Sequence, residues 1–430
     1  MSTNPLILIV GNGGREHALA WKLAQDSARP RVVCAPGNAG TALVATNVDI
    51  PAIDLDALVA WAVEHRPHLT VIGPEAPLCA GLADRLQEKG LRVFGPNQAA
   101  AQIEGSKVFS KDVMVKAGVP TARAGTFSDP EEARAYARSL SGPMVVKADG
   151  LAAGKGVLIC PAVEQAEAAI EEAMVRGAFG SAGARVLIEE FLEGEEVSIL
   201  ALTDGERIVM LPSAQDHKRI FDGDKGPNTG GMGAYSPAPI ATDDLWPVVR
   251  ARVFEPTLRE LRSRGIEYRG VLYAGLMMTK GGPQVLEFNC RFGDPETQVI
   301  LPRLEGDLLP LLDACADGVL DEGAARWRDG ACVCVVMSAG GYPGAFERGD
   351  AIAGLEEAGR MPGAVVFHAG TRRDEERVVT DGGRVLGVSA TGSDLPSAVA
   401  RVYEAAAKIH FANAHYRKDI AWRALARTTP

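Results

Sequence analysis

G-P-M-V-V-K-A-D-G-L-A-A-G-K-G-V-L-I, from Gly142 to Ile159, is the stretch whose reading decides the fold. Met144–Val146 and Val157–Ile159 are short apolar runs bounded by Pro and Gly, the pattern of two strands. Between them lie Gly150, Gly154 and Gly156, with Lys147 entering the turn and Lys155 inside it. Glycines let backbone N–H groups approach an anion, and lysines add point charges. A polyphosphate is the natural guest. The P-loop alternative, G-x-x-x-x-G-K-[ST], should pass from a strand into a helix. Here three residues separate Gly150 from Gly154, Gly156 replaces the Ser or Thr, and a strand follows. The window alone also fits a plain hairpin with two solvated lysines, so its neighbours must decide.

Downstream, the apolar run Val186–Ile188 enters the acidic turn E-E-F-L-E-G-E-E and leaves through Val197–Leu202. Such a turn is usually solvated surface. Here Phe191 and Leu192 could take a flat base, with a carboxylate on the ribose hydroxyls. Gln215–Ser236 reads as a long polar loop with almost no apolar periodicity. Ordered loops of that length are usually functional, so a substrate loop that orders on binding is expected. Gly270–Met278 and Gln284–Phe288 read as a hairpin ending in E-F-N-C-R-F-G-D-P-E. Glu287 and Asn289 are two apart on a strand and share a face, as does Arg291 while the strand stays extended. Val285 is expected on the same face. Two oxygen donors side by side suit Mg²⁺, which shares the phosphates of a nucleotide. The adjacent cation suits a phosphoryl or carboxylate oxygen.

Upstream, Leu6–Val10 runs into Gly11-Asn12-Gly13-Gly14-Arg15-Glu16-His17 and a helix at 18–24, the start of a doubly wound α/β domain. The dinucleotide fingerprint is incomplete. Glu16 stands where the third Gly belongs, and Arg31–Ala35 ends in Pro36-Gly37-Asn38 without an acid for a ribose 2′-OH. A nicotinamide dehydrogenase is thereby disfavoured, and a smaller phosphorylated ligand preferred. Taken singly, Arg15 and His17 read as a solvated helix start. Further strands, Leu69–Ile72 and Arg92–Phe94, end in Gly73-Pro74-Glu75 and Gly95-Pro96-Asn97. Turns of this kind crowd the sheet edge where ligands bind. Helices are expected over 55–64, 78–89, 106–117, 129–140, 163–176 and 246–264. Lys107 and Lys111, at i and i+4, share one helix face. After Arg328 come three strands and a helix with little motif chemistry.

The 430 residues suit two to four domains with ample core. A net charge of −10 speaks against nucleic-acid or anionic-membrane surfaces, so phosphate must be held by local cations. The seven cysteines contain no C-x-x-C, which fits a reducing cytoplasm, and Cys332 with Cys334 reads as core. No run of about 18 apolar residues spans a membrane, and Leu6–Val10 is a strand rather than a secretory segment.

The paired hairpins, V-V-K-A-D-G-L-A-A-G-K-G, the acidic hinge and E-F-N-C-R-F-G-D-P-E resemble the ATP-grasp fold. G-N-G-G-R-E-H-A-L-A, A-P-G-N-A-G at 35–40, G-P-E-A-P-L at 73–78, S-A-Q-D-H-K-R at 213–219 and G-P-N-T-G-G-M-G-A-Y-S-P at 226–237 narrow the likeness. Over nearly the whole chain it is similar to the phosphoribosylamine–glycine ligase family, which joins glycine to 5-phosphoribosylamine with ATP in purine synthesis. The resemblance implies an N-terminal doubly wound parallel-sheet domain (1–104), an ATP-grasp domain (105–327, lid about 123–194) and a small C-terminal α+β domain (328–430). It implies that Lys107 and Lys147 hold ATP phosphates under a loop containing Gly154, Lys155 and Gly156. Glu189, Glu190, Phe191 and Leu192 would contact the nucleotide, with adenine on the last three, and Glu196 the ribose. Glu287 and Asn289 would bind Mg²⁺ or Mn²⁺, and Arg291 would sit at the reacting phosphoryl and carboxylate. Asp294 and Asp216 are candidates for the glycine ammonium. Gly13, Gly14, Arg15, Glu16, His17, Gly37, Asn38, Gly73, Pro74 and Glu75 would hold the phosphoribosylamine. Many relatives carry a further metal-ligating acid one hairpin upstream. Here that strand, Val271–Leu276, has none, a departure that speaks against a second fully protein-ligated metal. A monomer with only small-molecule partners is expected. A biotin-dependent carboxylase of the same fold would need a carrier segment, and none is visible. A non-catalytic nucleotide sensor would not need both metal donors and the adjacent Arg.

Overall fold

The computed structural model describes residues 4–151 and 156–428. Its first sheet is wholly parallel, in the order β3-β2-β1-β4-β5, built from β1 (Leu6–Gly11), β2 (Arg31–Pro36), β3 (Thr46–Asn47), β4 (Leu69–Ile72) and β5 (Val93–Phe94). β1 and β4 are near-continuous apolar runs because helices cover both faces. Helix α1 (Gly14–Leu23) starts four residues earlier than the apolar run suggested. Helix α2 is Leu55–His65. The helix expected over 78–89 is two, α3 (Glu75–Cys79) and α4 (Leu82–Gln87). Gly81, at φ +87°, breaks them.

Helix α5 (Gln98–Gly105) was not anticipated; Asn97 caps it, and Ser106 then caps α6 (Lys107–Ala117). The segment expected as a lid holds an antiparallel sheet, β6-β9-β7-β8, of β6 (Ala124–Phe127), β7 (Met144–Ala148), β8 (Val157–Cys160) and β9 (Val186–Glu190). Helices α7 (Pro130–Ser139) and α8 (Val163–Ile170) pack on it. Ala133, Met144, Val146, Ile170 and Ile188 close a core that belongs to this unit alone.

The acidic turn carries the chain out of that sheet into another, β11-β10-β16-β17, formed by β10 (Glu195–Thr203), β11 (Ile208–Met210), β16 (Gly270–Thr279) and β17 (Gly282–Asn289). The turn is thus a link between sheets, and Gly194 sits at the crossing. A Cβ there would come within 2.3 Å of the Met278 carbonyl oxygen.

The expected loop over 215–236 is corrected by the structure. It holds β12 (Gln215–Asp216), β13 (Arg219–Phe221), β14 (Lys225–Asn228) and β15 (Gly233–Ser236). β13 and β14 pair with each other, while β12 and β15 enter the C-terminal sheet. A strand of two to four residues carries too little periodicity to be seen in sequence.

Beyond β17, the short strands β18 (Leu304–Glu305) and β19 (Arg326–Trp327) pair. The C-terminal sheet runs β12-β15-β20-β24-β21, with β20 (Ala331–Ser338), β21 (Ala364–His368) and β24 (Arg384–Gly392); β22 (Thr371–Asp374) and β23 (Arg377–Thr380) form a separate hairpin. Cys332 and Cys334 are both fully buried on one face of β20, as expected.

Candidate active site

Lys107 and Lys147, the candidates for phosphate, lie around the glycine turn. Lys107 Nζ donates to the Gly150 carbonyl at 2.8 Å, so it reaches the rim of the glycine turn. Gly154 and Lys155 lie outside the described residues; Gly156 leads into β8. Asp149 anchors the turn. Its carboxylate accepts from Ser106 Oγ at 2.8 Å and Val108 N–H at 3.2 Å, and pairs with Arg185 at 2.5 Å. Glu189 was expected among the nucleotide contacts. It is instead sealed between Lys111 and Lys147, with both ammonium groups at 2.6 Å. Burying a carboxylate is tolerable only with such pairing, so Glu189 positions lysines rather than meeting ligand. Lys147 also donates to the Leu286 carbonyl at 3.0 Å, which leaves one of its three N–H groups for a phosphate.

Residues Glu190–Leu192 form the rim beyond β9. The Glu190 side chain is held by the Arg123 backbone N–H at 3.0 Å and its Nε at 2.9 Å. The backbone N–H groups of Glu190 and Phe191 are taken by Arg123 and Pro143 carbonyls. Among the described residues the Leu192 N–H makes no hydrogen bond, so it remains for a ligand. Phe191 is an exposed large apolar group beside it.

On β17 the structure keeps Glu287 and Asn289 on one face but removes Val285 from it. A bulge at Leu286 shifts the register: Leu276 faces Val285, whereas Gly275 faces Glu287. Val285 and Phe288, three apart, both enter the same core, which only an extra residue between them permits. Glu287 and Asn289 are thereby turned to the Tyr273 side. Burial would raise the Glu287 carboxyl, but Lys218, Lys147, Lys107 and Arg291 together hold it below the usual range. Among the described residues no group of three or more His, Cys, Asp or Glu could hold a metal alone. The two donors therefore fit a cation that completes its shell with phosphate and water, as Mg²⁺ does.

Lys218 was not nominated from sequence, although it sits in the Q-D-H-K-R motif. Its Nζ lies 2.6 Å from Glu196 and 3.9 Å from Glu287, linking the candidate ribose acid to the candidate metal acid. Burial works against its charge, yet Glu196 and then Glu287 hold its pKa well above the ordinary lysine value.

At the end of β17, Arg291 reaches two carboxylates from distant segments. Nε donates to Glu75 at 3.1 Å, and Nη2 to Glu104 at 2.7 Å. Glu104, on α5, also accepts the Cys290 N–H at 2.7 Å. No sequence signal marked it. Arg15 crosses from α1 to the Phe292 carbonyl at 3.1 Å. Asp294 lies opposite the first glycine turn: a Cβ on Gly13 would meet its Oδ2 at 3.2 Å. Gln298 donates to Asp294 at 2.7 Å, and Arg384 of the C-terminal sheet approaches to 3.4 Å. Burial would raise Asp294; Arg384 and then Arg15 keep it ionised. Asp216 lies under Gly231 with one carboxylate oxygen sealed and unpartnered, and burial followed by Glu296 raises its pKa well above normal.

Four expected substrate residues, Glu16, His17, Gly37 and Asn38, stand behind the N-terminal loops instead. Glu16 is sealed, and its carboxylate takes the Gly13 N–H and Arg15 Nε, each at 2.6 Å. It fills the space under Gly11, Gly13 and Gly73, where added Cβ atoms would strike it. His17, far from a solvated helix start, is buried and accepts the His368 N–H at 2.8 Å. Asn38 spends its amide on the Asn12 and His368 carbonyls and its oxygen on the Gly40 and Thr41 N–H groups. Gly37 lies beside it, close to Asn47. Gly13 and Gly14 lie against Asp294, Arg15 reaches Phe292 and Glu75 meets Arg291, with Gly73 and Pro74 directly preceding Glu75 in the chain.

Models of the N domain, the ATP-grasp (A) domain and the C domain of phosphoribosylglycinamide synthetase match residues 6–104, 105–297 and 332–423. A phosphoribosylamine–glycine ligase of Nostoc sp. is 52% identical over 422 residues, 97% of this chain and 99% of the relative. One from Escherichia coli O157:H7 is 50% identical over 427 residues, 98% and 99% of the two chains. The crystal structure of a phosphoribosylamine–glycine ligase from Thermotoga maritima matches with a TM-score of 0.86 at 37% identity, covering 97% of this chain and 100% of that one.

Proposed function

The chain belongs to the phosphoribosylglycinamide synthetase family, and from that premise we propose how its residues carry the reaction. It is an ATP-grasp ligase of purine biosynthesis that joins glycine to 5-phosphoribosylamine with ATP as co-substrate. The observation that carries the residue roles is one convergence. Arg291, two residues past Asn289, touches Glu75 of the N-terminal edge, while Glu287 faces three lysines.

A carboxylate is a poor acyl donor because its leaving group would be oxide. Transfer of the γ-phosphoryl group to the glycine carboxylate makes glycyl phosphate, from which phosphate can leave. Lys107, Lys147 and Lys218 neutralise the triphosphate, and Arg291 orients the glycine carboxylate in line with it. Glu287 and Asn289 hold Mg²⁺ or Mn²⁺, which when bound neutralises charge spread over the transferring group. Phe191 and the Leu192 N–H receive adenine, and Glu196 exchanges Lys218 for the ribose hydroxyls. Asp294 and Asp216 take the glycine ammonium. The Gly13–Arg15 turn and Gly73–Glu75 present the sugar amine from the opposite side. The lid, with its separate core, closes over an acyl phosphate that water would otherwise destroy. The enzyme works as a monomer in a reducing cytoplasm, with which its seven free cysteines agree. No described helix is long and apolar enough to cross a membrane.

Phosphate release from ATP tests the reading. It should require glycine together with an amine acceptor, either freshly generated phosphoribosylamine or hydroxylamine in its place. Release without glycine, or with bicarbonate in its place, overturns it.

A further inference from the structure

Forming the amide releases a proton from the amine, and a group at the site must take it. The acceptor must reach the amine and the glycyl carbonyl at once. Arg291 marks the carbonyl side, so a carboxylate that touches Arg291 from the sugar-amine side meets both conditions. Glu75 does so. It opens α3 directly after the Gly73-Pro74 turn of β4, and its Oε2 accepts from Arg291 Nε at 3.1 Å. Its side chain is about a third exposed, at 32%, whereas Glu104 is 8% exposed and fixed by the Cys290 N–H as well. Glu104 is therefore the standing partner of Arg291, and Glu75 the accessible one. Among the described residues Glu75 makes no hydrogen bond to any other side chain. The rival carboxylates are engaged: Asp294 with Gln298 and Arg384, and both Asp294 and Asp216 with the glycine ammonium in the reading above.

We propose that Glu75 accepts the proton lost by the amine of phosphoribosylamine, and that in the empty site it occupies the edge of Arg291 that the glycine carboxylate takes. The proposal rests on the assignment of Arg291 above. In the step, the amine lone pair attacks the carbonyl carbon of glycyl phosphate and a C–N bond forms. The C–O bond to phosphate breaks, its electron pair leaves with phosphate, and the N–H proton passes to a Glu75 oxygen. Nothing is oxidised or reduced.

The charges facing Glu75 favour this order. They are Arg291 after β17, Arg15 on α1 and Glu104 on α5. Burial alone would raise the carboxyl, but Arg291 and then Arg15 hold it down to about 2, a poor base. Once an anionic substrate covers Arg291, that cation no longer holds Glu75 down. Its basicity rises when the acyl phosphate is in place and the acceptor is needed.

Glu75→Gln keeps the shape and cannot take a proton. Two assays of the full-length enzyme separate the half-reactions. Hydroxylamine with ATP and glycine traps glycyl phosphate as glycyl hydroxamate, without phosphoribosylamine. Amide formation is measured with phosphoribosylamine. At saturating phosphoribosylamine the variant should lose amide kcat by about 100-fold or more with its KM for phosphoribosylamine within a few-fold, keep hydroxamate turnover within about threefold, and show a glycine KM no higher than the unsubstituted enzyme, whereas a loss carried by the phosphoribosylamine KM alone overturns the proposal. Glu75→Asp should recover part of the lost turnover. Amide turnover within about tenfold of normal overturns the proposal. So does a matching loss of hydroxamate, or a raised glycine KM, either of which would make Glu75 a mere support of Arg291. If the unsubstituted enzyme forms no glycine-dependent hydroxamate, the reading beneath the proposal falls first and takes it along.

Discussion

Arg291 carries the sharpest residue-scale expectation. Its guanidinium is held on Glu104 and Glu75 rather than on the lysine cluster. Arg291→Ala should lower kcat by at least about 100-fold while equilibrium binding of ATP stays within a few-fold. Equal loss of both would deny it a place at the reacting carboxylate. Glu189 supplies the opposite kind of test, of structure rather than chemistry. Removing its charge in Glu189→Gln leaves Lys111 and Lys147 buried against each other and should cost about 3–5 kcal/mol, read as a lower unfolding midpoint in urea. An unchanged midpoint would mean that the buried triad contributes nothing. Much of this was legible beforehand. That Glu287 and Asn289 share one face of β17 follows from their spacing of two on a strand. Glu189 was misread because an acid at a strand end looks the same whether it meets solvent, ligand or two buried lysines.

Among the elements, β17 is instructive. Strict alternation put Val285 with Glu287, and the bulge at Leu286 separates them. Alternation assumes one residue per pleat. The core's demand for both Val285 and Phe288 breaks that assumption, and only packing reveals it. The link between β9 and β10 gives a further prediction. Gly194 has no room for a Cβ beside the Met278 carbonyl. Gly194→Ala should push the start of β10 away from β16 and carry Glu196 with it. The expected result is a Kd for MgATP raised about tenfold, equivalent to about 1.4 kcal/mol, with kcat at saturating ATP little changed. A Kd that stays put would show that the strand yields without moving Glu196.

At the scale of the whole molecule, the C-terminal unit packs against the candidate site. β12 and β15 join its sheet. From it Arg384 holds the Gly230 carbonyl and, at 2.8 Å, the Asp294 carbonyl, while the Tyr342 hydroxyl accepts the Gly230 N–H at 3.1 Å. Its contact with the N-terminal domain runs through His17 and His368. Burial, with His368 adding to it, lowers His17 to about 3; burial lowers His368 to about 4. Both folded values lie below the ordinary 6.5, so the neutral rings contribute fully above that pH and lose their contribution as pH falls toward 4 and 3. At pH 5 each ring should account for about 2 kcal/mol of lost stability. Raised carboxyls at Glu104 and Asp216 act with the opposite sign. The comparison that isolates the rings is therefore His17→Gln against the unsubstituted chain, melted from pH 7 to pH 5. A shallower loss is expected in the variant, and parallel curves would refute it. Local chemistry by itself determined most of the longer strands and helices, the glycine turns at strand ends, the spacing of the donor pair and its neighbouring cation, and the resemblance those motifs carry. Each of these is written within a few neighbouring residues. Tertiary packing alone decided which way β17 faces, that Glu75 and Glu104 meet Arg291 from 216 and 187 residues away, and that Arg384 reaches Asp294 across 90. Such contacts arise where separate apolar layers bury one another, and no local pattern records which layers will meet.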